Sequence, residues 1–98
     1  MNMQAMLKQA QKMQKDMLNT QDEINKKVFE YSSGIVSAKM TGDYKLVELK
    51  IKEEQLDKED IEMLEDMIVV VMDNLIKQIK DETETKMGAY TKGMPGLF

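Results

Sequence analysis

Residues 35–52 read IVSAKMTGDYKLVELKIK, and this stretch decides the architecture. Val36, Ala38 and Met40 share one side of the first half. From Tyr44 to Lys52 the chain alternates, with Val47, Leu49 and Ile51 on one side and Glu48, Lys50 and Lys52 on the other. Such a period of two marks a half-buried strand, because successive side chains point to opposite faces of a sheet. Gly42-Asp43 between the two halves suits a two-residue type II′ loop, which favours glycine at its first position. Upstream, Val28-Phe29-Glu30-Tyr31 is β-prone and Ser33-Gly34 is a turn signal. The expectation is a three-stranded antiparallel meander over 28–52 with one buried face.

Towards the N-terminus the period changes. Residues 2–27 contain no Gly or Pro and are rich in Gln, Lys, Met, Leu and Ala, all acceptable in a helix. At 100° per residue, Met3, Met6, Ala10, Met13, Met17, Ile24 and Val28 form one stripe. Lys8, Lys12, Lys15 and Lys26 fall on the opposite side. Positions 3, 10, 17 and 24 recur every seventh residue, the spacing of a coiled-coil seam. A helix over 2–27 would be about 39 Å long. That exceeds what the rest of so short a chain can cover, so part of it is expected to project or to pair with another chain.

Towards the C-terminus a second long helix is expected over 57–87. Asp57 suits its N-cap, and Asp60 adds charge favourable to the helix start. Ile61, Leu64, Ile68, Val71, Met72, Leu75 and Ile79 form one apolar face, and Met63, Met67 and Val70 a second. Covering on two sides follows from such a pattern. A buried strand competes for Met67–Met72, where Val and Ile dominate, but the helical flanks continue through it. Gly88 marks the expected helix end, and residues 88–98, with two further glycines and the only Pro, read as a flexible tail.

Composition narrows the function classes. The chain has 98 residues, enough for one domain with a modest core. It has neither Cys nor His, which removes thiol and imidazole chemistry and the commonest transition-metal ligands. No spacing of Asp, Glu or Lys marks a general acid–base pair. The acids of 53–66 lack the spacing and central Gly of a calcium loop. A binding protein with no cofactor, rather than an enzyme, is expected. The N-terminus lacks a secretory signal, and the longest apolar run, Met67–Met72, is far too short to span a membrane, so a cytoplasmic protein is expected. The net charge is −4, unevenly spread: five Lys against three acids over 1–27, eight acids against one Lys over 53–66. Arg is absent.

Three segments carry a resemblance to a known family. They are Met6-Leu7-Lys8-Gln9-Ala10-Gln11-Lys12-Met13-Gln14; the meander through Thr41-Gly42-Asp43 into Val47-Glu48-Leu49-Lys50-Ile51, followed by Leu64-Glu65-Asp66-Met67-Ile68; and Lys86-Met87-Gly88 with Gly93-Met94-Pro95-Gly96. In this order they resemble the YbaB/EbfC family of bacterial nucleoid-associated proteins. The resemblance implies an α+β protomer of order α-β-β-β-α, a homodimer whose helices project like tweezer arms and contact DNA, a place in the bacterial nucleoid, and no catalysis. The acidic balance and the lack of Arg depart from a strong base reader, since bidentate Arg–guanine contact is impossible here.

On this reading the candidate DNA contacts are Lys8, Gln9, Gln11, Lys12, Lys15, Lys26 and Lys27. Lys8, Lys12 and Lys15, four and three residues apart, could track phosphates, or could simply solvate a helix face. Lys77, Lys80, Lys86 and Lys92, interleaved with acids, are lesser candidates. Met3, Met6, Ala10, Met13, Met17, Met63, Met67 and Val70 are candidates for packing and dimer contacts. For the methionine stripe, an adaptable peptide groove competes with a packing seam. A membrane-surface role lacks the Trp and Phe anchors such helices use. The alternative to DNA binding is a homodimeric protein–protein adaptor that touches DNA only incidentally.

Overall fold

The structure is a computed structural model, and it describes residues 2–53 and 55–93. The first helix, α1, spans Met3–Lys26. Asn2 caps it, its Oδ1 accepting from the N–H groups of Gln4 at 3.0 Å and Ala5 at 3.3 Å. Three strands follow: β1 Val28–Ser33, β2 Val36–Thr41 and β3 Leu46–Ile51. They form one antiparallel sheet in the order β1-β2-β3. A 3-10 turn, Lys58–Asp60, leads into the second helix, α2, Ile61–Gly93. The fold is α+β with element order α-β-β-β-α, as the alternation and the helical periods predict.

The apolar run from Met67 to Met72 resolves as helix, since it lies wholly inside α2. Asp57 stands at the N-cap position of the 3-10 turn, with its N–H donating to Asp60 Oδ2 at 3.1 Å. The C-terminal end differs from the expectation. Instead of stopping at Gly88, α2 continues to Gly93. A mid-helix glycine costs about 0.5–1 kcal/mol relative to alanine, and one hydrogen bond offsets much of that. The Tyr90 hydroxyl lies 2.9 Å from Thr20 Oγ1, tying the last turns of α2 to α1. Of the tail expected over 88–98, residues 94–98 lie outside the described residues.

The core forms where α2 crosses β1 and β2. Phe29, Val36, Ala38 and Met40 from the sheet meet Val71, Leu75 and Ile79 from α2, all buried. Strand register explains the set: Phe29 faces Met40 and Tyr31 faces Ala38, so one side of both strands points at the helix. The other side is polar, with Lys39 reaching Glu30 at 4.0 Å and Glu48 at 3.7 Å.

Two sequence expectations need correction here. The first is the buried face of β3. Leu49 pairs with Ala38 and Ile51 with Val36, so their side chains share the core side of the sheet. A bulge after Lys39 pairs Met40 with Leu46, which adds Leu46 to the same side. Yet, among the described residues, α2 rests on β1 and β2 and makes no contact with β3. Leu46, Val47, Leu49 and Ile51 are consequently 39–58% exposed. The second correction is the hairpin loop. It spans three residues, Gly42–Tyr44, inside a Thr41–Lys45 pair whose N–H···O distance is 2.9 Å. The Tyr44 N–H closes the turn on Thr41 O at 2.9 Å, and Tyr44 itself, not Gly42, has the positive φ, 64°. Gly42 is needed for a different reason. A Cβ there would lie 1.7 Å from the Ile24 carbonyl oxygen, because β2 ends against the last turn of α1. The Gly42 N–H donates to Lys27 O at 3.0 Å and fastens that crossing.

The molecule is long and thin, with principal extents of 72 × 21 × 13 Å and a radius of gyration of 19.7 Å. A compact domain of this length would have a radius of about 13 Å. The difference lies in the helices. Thr20 meets Tyr90, and Lys27 meets Glu82 at 2.5 Å, so α1 and α2 run antiparallel with Gly93 level with about Met17. The first fourteen or so residues of α1 therefore extend past the end of α2, roughly 20 Å of helix.

Candidate nucleic-acid interface

The projecting half of α1 carries the lysine row. Lys8, Lys12 and Lys15 are exposed and make no ion pair among the described residues. Helical geometry puts them opposite the seam that faces α2 and spreads them over about 10 Å of the axis. Lys26 and Lys27, which the sequence groups with them, are differently engaged. Lys26 binds Asp22 one turn back at 2.8 Å, and this hydrogen-bonded carboxylate raises its pKa. Lys27 binds Glu82 and sits 5.1 Å from the Phe29 ring centroid. It joins the end of α1 to α2 and to the sheet. Gln9 and Gln11 are exposed but lie about 200° apart around the helix, on opposite flanks of the row.

The apolar seam divides in the same way. Ile24 is buried, while Met13 and Met17 are half-buried on the α2 side. Ala10, Met6 and Met3 are exposed, Met3 by 82%. On α2, Met67 packs over Gly34, where an added Cβ would lie 2.6 Å from its terminal methyl carbon. Met63 and Val70 are exposed and line a shallow hollow beside Ser33 and Met67. Among the lesser candidates, Lys77 and Lys80 are exposed on the outer side of α2, and Lys86 lies 3.9 Å from Glu82.

The charges separate along the long axis. Antiparallel pairing puts the 3-10 turn and the start of α2, with Glu59, Asp60, Glu62, Glu65 and Asp66, at the end of the molecule opposite the arm. Lys8 and Glu62 are roughly 55–60 Å apart along the helices. At physiological ionic strength the screening length is about 8 Å. A polyanion at the arm is therefore insulated from most of the carboxylates that make the net charge negative. The acidic balance read from the sequence does not disqualify the arm.

Comparison with known proteins decides the family. Residues 1–94 match the YbaB/EbfC DNA-binding family. The chain belongs to that family. Its relatives include a nucleoid-associated protein of Enterococcus faecalis, 45% identical over 98 residues and covering 98% of this chain and 94% of the relative. A nucleoid-associated protein of Ligilactobacillus salivarius is 42% identical, covering 99% and 95%. In three dimensions the chain is similar to the crystal structure of the uncharacterized protein HP0035 from Helicobacter pylori, with a TM-score of 0.73 at 19% identity, over 91% of this chain and 96% of that one. The YbaB/EbfC assignment rests on nearly the whole length, and the structural likeness supports the fold. Among the described residues, no helix is long and apolar enough to cross a membrane, and no group of acids is arranged to hold a metal ion.

Sequence reasoning missed the roles of four residues that shape this interface. Asn2 sets the start of the arm, and its signal was the ordinary N-cap preference of Asn. Thr20 and Tyr90 fix where the arm leaves the body, and no local pattern announces a bond between residues 70 apart. Gly42 was noticed for its turn and proved necessary for a close backbone crossing.

Proposed function

We propose that the protein is a homodimeric nucleoid-associated protein of the bacterial cytoplasm that grips duplex DNA through Lys8, Lys12 and Lys15. The observation that carries this reading is the row itself: three exposed lysines that make no ion pair among the described residues, on a helix that extends past the rest of the fold, in a chain of a DNA-binding family. Gln9 and Gln11 flank the row and are secondary contacts at most, while Lys26 and Lys27 have intramolecular roles first. Ammonium groups on flexible stems attract phosphates as point charges and discriminate weakly among sequences.

Dimerisation supplies a second arm. The uncovered side of β3, with Leu46, Val47, Leu49 and Ile51, supports this part of the reading. Met67 packs toward the β1 edge, so the opposite flank of α2, bearing exposed Ile61 and Val69, turns toward β3. An apolar edge strand left open is an aggregation hazard, and a second copy is the simplest cover.

Titration of duplex DNA across salt concentrations tests the mechanism. Three neutralised phosphates on one arm weaken binding about 40-fold between 50 and 200 mM salt, and six on two arms about 2,000-fold. Binding that ignores salt overturns the proposal. Replacing Lys8, Lys12 and Lys15 together by Gln should reduce affinity on every sequence and flatten the salt slope by about 2.7 per engaged arm. Unchanged affinity would place the contact elsewhere.

A further inference from the structure

The apolar seam of α1 outlasts the helix that covers it. Ile24, Met17 and Met13 lie along the side facing α2, and Ala10, Met6 and Met3 continue the same line, all three exposed. Because Gly93 is level with about Met17, α2 ends before it reaches them. Met3, Met6 and Leu7, with Gln4, border an open apolar hollow at the arm's end. The bare part of the seam keeps its heptad spacing, Met3 to Ala10 and Met6 to Met13. Its flanks are uncharged: Leu7 and Gln14 border one side, and Gln9 the other. Lys8, Lys12 and Lys15 lie more than about 140° around the helix from its centre.

We propose that the occupant of this seam is the arm of a second copy of the chain, packed antiparallel against it. Three observations select it over other partners. The seam complements itself: placing Met3 against Met13 of the second copy also places Met6 against its Ala10, so a large side chain meets a small one in the inner layers. Charge permits the contact. With helix axes about 8–10 Å apart, the two lysine rows point outward roughly 20 Å from each other, more than twice the screening length of about 8 Å. The end of α2 leaves the right space. Met3 of the second copy comes level with Met13, about 6 Å short of Met17, so the second arm continues the line of α2. A parallel pair does not fit, because each α2 would need the space between the two α1 helices. The antiparallel pair sets the two Ile24 residues about 48 Å apart, and the open side of β3 lies near Ile24, so this copy is not the one proposed to cover β3. Four layers fall short of the about 1,200 Å² that a stable dimer buries, so the arms pair only at high local concentration. In such a pair the lysine rows face apart. That they then hold two duplexes rests on the DNA contact proposed above, whereas the pairing itself does not.

The absence of Cys permits trapping by single disulfides, which form only between closely approaching backbones. Full-length Met6→Cys and Ala10→Cys chains, mixed in equal amounts at high concentration and oxidised gently, should give the mixed disulfide at least about three times as often as the two like disulfides together. Like pairs are offset by about 6 Å along the antiparallel helices and are disfavoured. A random ratio, about one to one, overturns the proposal, as does an excess of like disulfides or the absence of any disulfide. Adding Met3→Glu to both chains puts a carboxylate beside Met13 of the second copy and should return the ratio to the random value. An excess that persists overturns the seam as the contact. A nitroxide on a Gln14→Cys chain, mixed with unlabelled-thiol parent carrying isotope in its methionine methyl groups, gives an independent readout. It should broaden Met3 of the parent strongly and leave Met13 sharper; broadening of neither, or of Met13 alone, overturns the antiparallel pair. These samples contain no DNA, so a failure here leaves the lysine contact standing, and the salt titration tests that contact separately.

Discussion

β2 and β3 carry the same alternation of apolar and polar residues and face the same way, yet the apolar side of one is fully buried and that of the other is not. Val36, Ala38 and Met40 sit beneath α2, whereas Leu46, Val47, Leu49 and Ile51, one strand away, have nothing above them among the described residues. A period of two identifies the face of a strand. Whether that face is covered depends on where a helix some twenty residues later comes to rest. On the proposed dimer, the contrast separates two kinds of stability, one within the chain and one that depends on concentration.

The sharpest way to break the comparison is to truncate one leucine on each side of it. Leu75→Ala removes a fully buried side chain and should cost about 2–5 kcal/mol, read as a fall in denaturation midpoint. Leu49→Ala should cost under about 1 kcal/mol at high dilution. Equal losses would mean that β3 is covered within the protomer.

Gly42→Ala tests the crossing beneath the hairpin. The added methyl has no space against Ile24 O, and overpacking of this kind costs about 1–3 kcal/mol. Wild-type stability in a melting experiment would mean that α1 and the sheet separate freely at this point.

Leu49→Lys sharpens the comparison from the other side. It should leave the secondary structure unchanged by circular dichroism and convert a dimer to a monomer in sedimentation. A persistent dimer would exclude β3 as the interface.

The smallest effect concerns the hairpin's end. The Thr41 hydroxyl, bonded to the Asp43 carboxylate and helped by Lys45, holds the Asp43 pKa below its usual 3.8. A depressed folded pKa stabilises the fold above the unfolded value, and this stability is lost as pH falls through the folded one. Asp43→Asn should therefore slightly flatten the acid limb of the melting temperature against pH and leave neutral stability almost unchanged. A large loss at neutral pH would show that the carboxylate does more than accept this bond.

Much of the fold was legible because its signals are local. The heptad spacing of Met3, Ala10, Met17 and Ile24 marked α1, and the alternation through Glu48 and Lys50 marked the sheet. Legibility failed where a distant residue decides the outcome. Gly88 has the chemistry of a helix end, but Thr20 holds the turn beyond it through Tyr90. Lys27 looks like an extension of the lysine row, but Glu82, 55 residues away, claims it. The candidate site was readable as a pattern on α1. Its isolation from the acidic end of the molecule was not, because that depends on how the two helices are laid side by side.

The Thr20–Tyr90 bond and the Gly42 crossing have a mechanical consequence. Together they make α1 a cantilever, clamped over its last two turns and exposed on all sides from Lys12 back to Asn2. A tilt of about 10° at Thr20 moves Met3 by roughly 4 Å while the spacing within the lysine row stays constant, since the rise per residue is fixed. The arm thus acts as a stiff ruler: whatever its angle to the body, the pitch of its lysine row is the same.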